Sequence, residues 1–232
     1  MNPQNDVPQR ANKFIATHLA IGRRAADDLI AKGKVLINGE KAELGSRVYA
    51  GDKVTVDGKK VDSVKTNYLY VLMDKPVGYV CSRRQQGDVP TIYSLLPQKY
   101  DHLKTVGRLD KDSSGLILLT NNGDLAHQLT HPSFKKVKTY DVQLSKPLEP
   151  LHRQMISDIG IDLPDGKSKL LLERLTDGDE TSWQVTMHEG RNRQIRRTFL
   201  ALGYTVISLR RKTFGKYSLD QLNGKQILEI EQ

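Results

Sequence analysis

One cysteine, Cys81, is present among the 232 residues of the chain. A single thiol excludes a disulfide within the chain and any zinc site built from several cysteines, and it fits a reducing, cytoplasmic setting. No apolar run approaches the roughly 18–20 residues that a helix needs to span a bilayer. The polar start MNPQNDVPQR is typical of neither a signal peptide nor an anchor. We therefore expect a disordered lead-in at residues 1–9 and no membrane partner.

The sequence also lacks the signatures of bound cofactors. It contains neither of the glycine-rich phosphate-binding patterns GxGxxG and GxxxxGK[ST]. His127 and His131 have a spacing that suits a metal ion on a helix, but no third ligand is evident. The acidic run DGDE at 177–180 lacks the twelve-residue calcium-loop pattern and predicts a turn. We therefore expect neither a cofactor nor a metal.

Positive charge is what the chain has in excess. Lys and Arg number 36 against 27 Asp and Glu, which gives a formal net charge of +9 and an isoelectric point near 9.5. Such a balance indicates a polyanionic partner, most often nucleic acid. The net charge alone does not identify a binding surface, so the positions of the basic residues are more informative.

Residues 10–61 predict a small module of two helices followed by strands. The stretches RANKFIATHLA and RRAADDLIAKG carry apolar residues at helical spacing, and the second ends on the glycine Gly33. The strand-like segments VLING and DKVTVDG end in the turn dipeptides NG and DG. Two short helices and a few strands bury little apolar surface, so this segment is expected to be a docking module.

Basic residues cluster around the two predicted helices. Paired arginines in the first turn of a helix oppose its dipole, and a phosphate ligand would remove that conflict. The stretch KFIATHLAIGRRAADDLIAKGKVLINGE resembles the S4-like RNA-binding domain. The resemblance implies binding to structured RNA, and the side chains expected to take part are Lys13, Arg23, Arg24 and Lys34.

A linker at 62–67 is expected to lead into a larger domain at 68–232. In that domain GLILLTN at 115–121 predicts a buried strand, and KTYDVQLS at 138–145 alternates in the manner of a half-buried strand. RNRQIRRTFLALG at 191–203 predicts a helix. This mixture favours an α+β domain with a mainly antiparallel, mixed sheet flanked by helices.

Basic residues are also concentrated in the larger domain. The apolar stripe of the helix predicted at 191–203 faces the core, so its arginines are expected to project elsewhere. With KKVK at 135–138 and RRK at 210–212 they predict a track for phosphate groups. The arginines of this helix that we expect to contact substrate are Arg191, Arg193, Arg196 and Arg197.

The stretch VGRLDKDSSGLILLT at 106–120 places an arginine and an aspartate two positions apart beside a predicted buried strand. In extended backbone Arg108 and Asp110 share a side, which predicts that Arg108 keeps the carboxylate ionised and oriented. The alternative is an ordinary surface ion pair. An oriented carboxylate near basic clusters and an inward-facing tyrosine, Tyr140, favours chemistry on a nucleotide.

GRLDKDSSGLILLTNNGDLAHQLTHP resembles the catalytic motif of RNA pseudouridine synthases. The branch is the one that carries an S4-like domain, typified by the small-subunit rRNA enzyme and its large-subunit relatives. MDKPVGYVCS, KTYDVQL and EGRNRQIRR resemble further motifs of that family, in the expected order. The resemblance implies a cofactor-independent isomerase that converts a specific uridine of ribosomal RNA, free or in an assembling particle, to pseudouridine. We expect a monomeric, cytoplasmic enzyme.

The resemblance also implies residue roles. Asp110 is the catalytic carboxylate, which either attacks the anomeric carbon or removes the neighbouring sugar proton. Arg108 orients Asp110, and Tyr140 packs beside the uracil and helps to move the proton from ring carbon 5. Further candidates for the substrate pocket are Arg196 and Leu209, which match lining positions, and Lys75, which matches a supporting position.

Two other functions are compatible with the sequence. A non-catalytic RNA-binding or ribosome-assembly factor would use the same basic surfaces. A nucleosidase would let water capture the sugar after the base has left. The ribosomal subunit is not distinguished either, since KPVGYVCS favours the small-subunit enzyme and NRQIRR favours the large-subunit relatives.

Overall fold

The computed structural model describes residues 8–19, 21–61, 67–85 and 87–231. Their contacts divide into two compact units, one ending at Asn67 and the other beginning at Tyr68. Most of the predicted linker and of the predicted lead-in lies outside the described residues. Gln9, however, pairs with Val48 in a strand, so the predicted disorder is wrong at this residue.

The front unit combines two helices with short strands. Its elements are β1 (Gln9–Arg10), α1 (Ala11–His18), α2 (Arg23–Ala31), β2 (Val35–Ile37), β3 (Glu40–Lys41), β4 (Arg47–Val48), β5 (Val54–Val56) and β6 (Lys59–Lys60). β1 pairs with β4, and the other strands form an antiparallel sheet in the order β3-β2-β5-β6. The predicted NG and DG turns are confirmed, because both residues of each dipeptide have a positive φ.

The second unit is built on one large sheet. Its elements are β7 (Tyr70–Lys75), β8 (Lys104–Val106), β9 (Ser114–Thr120), α3 (Gly123–Thr130), β10 (Lys138–Leu144), α4 (Pro150–Gln154), β11 (Ile161–Leu163), β12 (Gly166–Ser168), β13 (Leu171–Arg174), β14 (Ser182–Met187), α5 (Gln194–Leu200), β15 (Val206–Phe214), β16 (Tyr217–Ser218) and β17 (Ile227–Ile230). Short 3-10 helices lie at Ile92–Leu95, Gln98–Tyr100, Pro132–Phe134 and Leu219–Leu222.

The strands of this sheet follow the order β13-β14-β10-β15-β9-β7-β17. Neighbouring strands are antiparallel except β15 and β9, which run parallel over two residue pairs. The mainly antiparallel, mixed sheet is therefore confirmed. No helix in the described part of the chain is long and apolar enough to cross a membrane.

Side chains on β10 alternate between buried and partly exposed as predicted, and the buried ones pack against α5. Tyr140, Val142 and Leu144 are buried, and they share a core cluster with Trp183 and Phe199.

The predicted helix at 191–203 begins later than expected. Arg193 has a left-handed backbone (φ 47°), which ends the preceding loop and lets the helix begin at the next residue. The first arginines of RNRQIRR therefore lie in a loop that enters the helix.

Candidate active site

A cleft of about 460 Å³ opens on the second unit, between the loop that precedes β9, the end of α3 and the loop that precedes α5. Tyr140 on β10 and Leu209 on β15 contribute to its walls, and both are more than 90% buried. The predicted site residues that line it are Arg108, Asp110, Tyr140, Arg191, Arg193 and Leu209. The structure therefore brings together residues from four separate segments of the sequence.

The carboxylate of Asp110 lies beside an arginine that is remote in sequence. Nη1 of Arg193 is 3.7 Å from Oδ2 of Asp110 and 3.6 Å from Oδ2 of Asp112. Arg108 lines the cleft, but no ion pair joins it to Asp110 in the described part of the chain. The predicted Arg108–Asp110 pairing is wrong, because residues 107–110 are not in a strand and Gly107 has a φ of 72°.

Lys75 lies beneath the loop that carries Asp110. Its side chain is fully buried, and its ammonium group donates hydrogen bonds to the carbonyl oxygens of Ser113 (2.7 Å) and Pro76 (2.9 Å). Burial lowers the pKa of Lys75, although the charges of Asp110 and Asp112 oppose that shift. The folded chain covers Lys75, and its side chain does not line the cleft. Its position is a supporting one.

Arg196 also binds the loop that carries Asp110. Its guanidinium donates to the carbonyl oxygens of Val206 (2.7 Å) and Asp112 (2.9 Å). Burial is the main cause that lowers the pKa of Arg196, and the neighbouring charge of Arg193 acts in the same direction. The side chain is not among those that line the cleft. It links the start of β15 to the turn that follows Asp110.

Arg191 and Arg197 are both bound to the turn between β11 and β12. Arg191 donates to Asp165 Oδ1 (3.0 Å) and to the carbonyl oxygen of Gly166 (2.7 Å), and Arg197 lies 2.7 Å from Asp165 Oδ2. The hydrogen bond from Arg197 holds the pKa of Asp165 below its usual value. Of these two arginines, Arg191 lines the cleft and Arg197 does not. The Arg197 guanidinium is satisfied by protein groups, which argues against its predicted contact with RNA.

Arg211 is a cleft residue that the sequence reasoning did not single out. It is 2% exposed, and its Nε donates to the carbonyl oxygen of Leu116 (2.8 Å). Its guanidinium carbon lies 4.9 Å from the centre of the Phe214 ring, and Nη2 is a buried atom without a hydrogen-bond partner among the described residues. A buried, incompletely satisfied cation at the floor of the cleft raises the local positive potential.

The alternation of β15 would have identified Arg211. Leu209 and Arg211 face the cleft, whereas Arg210 and Lys212 face the other side of the sheet. There Arg210 pairs with Asp74 (2.6 Å) and Lys212 lies 3.9 Å from Asp141. Of the predicted RRK cluster, Arg211 is therefore the member that reaches the cleft, because side chains alternate across a strand.

The basic residues predicted for the front unit lie on or near its helices. Arg23 and Arg24 are exposed at the first turn of α2, where no acidic side chain balances them. Lys34 follows the helix, and its ammonium group is 2.9 Å from Asp57 Oδ1. Lys13 is on α1. The paired arginines therefore form an exposed, positively charged helix start, the arrangement expected to bind a phosphate.

Three comparisons with known proteins agree with this arrangement. A family model described as RNA pseudouridylate synthase matches residues 69–201, and an S4 domain model matches residues 9–54. The ribosomal large subunit pseudouridine synthase B of Bacillus subtilis is 37% identical over 96% of this chain and 92% of its own length. The ribosomal small subunit pseudouridine synthase A of Pasteurella multocida is 34% identical over 91% of this chain and 90% of its own.

A solved structure extends the likeness to three dimensions. A crystal structure of pseudouridylate synthase superposes with a TM-score of 0.67 at 32% identity, and the match covers 96% of each chain. Both units of the present chain fall within that coverage. On this evidence the chain belongs to the RNA pseudouridylate synthase family, in the group whose members carry an S4 domain ahead of the catalytic domain.

Proposed function

We propose that this enzyme isomerises a uridine of ribosomal RNA to pseudouridine with Asp110 as the catalytic carboxylate. One observation carries the assignment. Asp110 lies in a cleft whose other walls are a buried tyrosine, a buried leucine and several arginines. A flat, anionic leaving group such as uracil fits between apolar walls and a positive floor.

The reaction exchanges the bond that joins the base to the sugar. The bond between N1 of uracil and C1′ of ribose breaks, and C5 becomes bonded to C1′. Asp110 either attacks C1′ or removes the neighbouring C2′ proton, and both routes require its ionised form. As C5 bonds to C1′, the ester that Asp110 formed with C1′ breaks in the first route, and Asp110 returns the proton to C2′ in the second. C5 then loses a proton and N1 gains one, so the atoms balance without a co-reactant. Tyr140, a buried residue of the cleft wall, would pack against the ring and assist the proton transfer from C5.

Arg193 takes the orienting role first expected of Arg108. It lies at the mouth of the cleft and its guanidinium reaches Asp110. Arg108 is exposed and lines the same cleft, so its proposed role becomes contact with the RNA. Arg211 at the floor would stabilise the negative charge of the detached uracil.

The front unit would hold the RNA while the second unit reacts. Two exposed arginines at the start of α2 suit phosphate groups of a structured RNA. The target uridine must leave its stack to reach Asp110, and phosphate contacts from both units would offset that cost. We propose that the enzyme acts as a monomer in the cytoplasm, where its substrate is made.

Replacing Asp110 by asparagine tests the assignment. Ribosomal RNA labelled with tritium at C5 of uridine releases tritium when C5 becomes bonded to the sugar. The wild-type enzyme is expected to release the label, and Asp110→Asn is expected to lose that release by at least about a thousandfold because it lacks an ionised carboxylate. RNA binding, measured by filter retention, is expected to stay within a few-fold of wild type.

Asp112→Asn is the matched control. Asp112 contacts the same arginine, but its side chain is 61% exposed and is not among those lining the cleft. This variant is expected to keep most of the activity. Tritium release by Asp110→Asn equal to wild type would contradict the assignment. Free uracil as the product would instead indicate a nucleosidase, and RNA binding without any release would indicate a non-catalytic RNA-binding factor.

A further inference from the structure

Three exposed rings lie together at the end of α3. The rings of His127 and His131, one helical turn apart, have centroids 4.8 Å from each other. The ring of Phe134, in the turn that follows, is nearly perpendicular to both imidazoles, and its centroid lies 5.9 and 6.4 Å from theirs. Phe134 is 45% exposed, and both histidines are exposed. Exposed apolar groups that cluster, unlike single exposed side chains, mark interaction sites, and these three rings form such a cluster.

This ring cluster (His127, His131 and Phe134) is continuous with the candidate active site. His131 belongs to the cluster and also lines the cleft that contains Asp110. Thr130, the preceding residue, lies against the loop that carries Asp110, since a Cβ built on Gly107 would be 3.6 Å from its methyl group. A ligand that extends out of the cleft on this side therefore meets the rings first.

Lysines surround the ring cluster. Lys135 and Lys136 follow Phe134 directly, and Lys136 and Lys138 line the cleft beside it. The ammonium group of Lys138 donates a hydrogen bond to the carbonyl oxygen of Glu189. Lys135 and Lys136 are therefore the lysines expected to interact with a ligand. Aromatic faces next to cations are the combination that binds single-stranded nucleic acid, because bases stack on rings while phosphates pair with lysines.

A metal ion fits the ring cluster less well. No group of three metal-ligating side chains occurs in the part of the chain that the structure describes. The Nδ1 atom of His131 also accepts a hydrogen bond from the backbone N–H of Ser133 (3.3 Å). That ring nitrogen is therefore already in use, and the imidazole is held in a fixed orientation that suits stacking.

We propose that the ring cluster is a stacking platform for an unpaired base next to the target uridine, with Lys135 and Lys136 on the adjoining phosphate. This proposal rests on the proposed function, and it defines the substrate further. The target uridine has a neighbour that is free to leave its own stack, as in a loop or a bulge. A uridine flanked on both sides by stable pairs is a poor substrate.

A short single-stranded RNA tests the platform by binding rather than by catalysis. The probe is an oligouridylate with one central 2-aminopurine, whose fluorescence is quenched when the base stacks. The wild-type enzyme at low salt is expected to bind the strand and quench the fluorescence. Phe134→Ala is expected to weaken binding roughly 5- to 100-fold and to remove most of the quenching, the range seen for one stacked base. Phe134→Tyr keeps a ring and is expected to restore both signals.

A second RNA probe carries an abasic site in place of 2-aminopurine. Wild type is expected to bind the abasic strand as weakly as Phe134→Ala does, and Phe134→Ala is expected not to distinguish the two strands. Leu151→Ala, which removes an apolar side chain that is 63% exposed on α4, is the control and is expected to change neither signal. Failure of the wild type to bind or quench, or equal binding by Phe134→Ala, would overturn the platform. Tritium release by Phe134→Ala, measured in parallel, reports on the proposed function separately.

Discussion

The guanidinium group of Arg193 lies beside two carboxylates, those of Asp110 and Asp112. Arg193 has a left-handed backbone (φ 47°), and its side chain reaches Asp110 and Asp112 in the loop before β9. A non-glycine residue in this conformation costs of the order of 1 kcal/mol, so tertiary contacts must hold it there. The two carboxylates together provide that contact.

Removing this arginine should lower turnover without unfolding the enzyme. The side chains of Arg193 and Asp110 are 43% and 33% exposed, so solvent screens their attraction to about 1 kcal/mol or less. Arg193→Ala is therefore expected to reduce kcat by up to about fivefold, since tenfold corresponds to about 1.4 kcal/mol. Arg193→Lys keeps the charge and should recover part of the loss.

Steady-state tritium release, with kcat and KM determined separately, measures this effect. Arg174→Ala serves as the matched control, because it removes an exposed arginine that pairs with Glu180 away from the cleft. An unchanged kcat for Arg193→Ala would show that Asp110 does not depend on this partner.

The elements that carry the site meet where β9 crosses β15. These strands run parallel over two residue pairs, Ser114 with Arg210 and Gly115 with Arg211. A Cβ built on Gly115 would lie 2.3 Å from the carbonyl oxygen of Arg211, and the glycine has a φ of 104°. A glycine is therefore required for β15 to approach closely enough to place Leu209 and Arg211 in the cleft.

Gly115→Ala should consequently damage stability and activity together. The methyl group meets backbone atoms that cannot rotate away, so we expect a loss of at least about 2 kcal/mol in the free energy of unfolding. Gly123→Ala at the start of α3 is the control, since nothing lies within 4 Å of its built Cβ. Urea denaturation of both variants measures the difference. Equal unfolding midpoints would contradict the close approach of the two strands.

At the largest scale, the described chain forms two units with separate cores. The front unit has its own buried cluster around Ile15, Ala26 and Val35, and the second unit buries three further clusters on its sheet. Positive charge is present on both. Association with RNA is therefore expected to weaken steeply as salt is added, because each phosphate that the protein neutralises releases bound counterions.

The paired arginines of the front unit should contribute measurably to that salt dependence. Arg23→Ala with Arg24→Ala is expected to make the slope of log K against log salt shallower by about 2, roughly one for each phosphate that an arginine no longer neutralises. The rate at saturating RNA should not change, since the chemistry lies in the second unit. Lys53→Ala with Lys59→Ala removes the same charge from the β5–β6 region of the same unit as a control. Identical slopes for the two double variants would contradict a specific role for α2.

The local features of the fold were predictable from the sequence because their causes are local. The NG and DG turns need positive φ at consecutive residues, which these dipeptides supply. The period of two along β10 put Tyr140 on the buried face. The same reasoning, applied to β15, separates Arg211 from its basic neighbours.

The sequence predicts the broad plan of the enzyme, which is two modules, a mainly antiparallel sheet, and an acid, a tyrosine and a leucine in motifs whose order identifies the family. The folded chain is needed to see which arginine lies beside Asp110, which cations bind protein oxygens and which ring cluster borders the cleft. Arg196 and Arg197 were expected to contact substrate, yet both donate to protein oxygens, as does the supporting residue Lys75. The reason is that a guanidinium or ammonium group binds whichever acceptor the fold brings within about 3 Å, and that acceptor is usually far away along the chain.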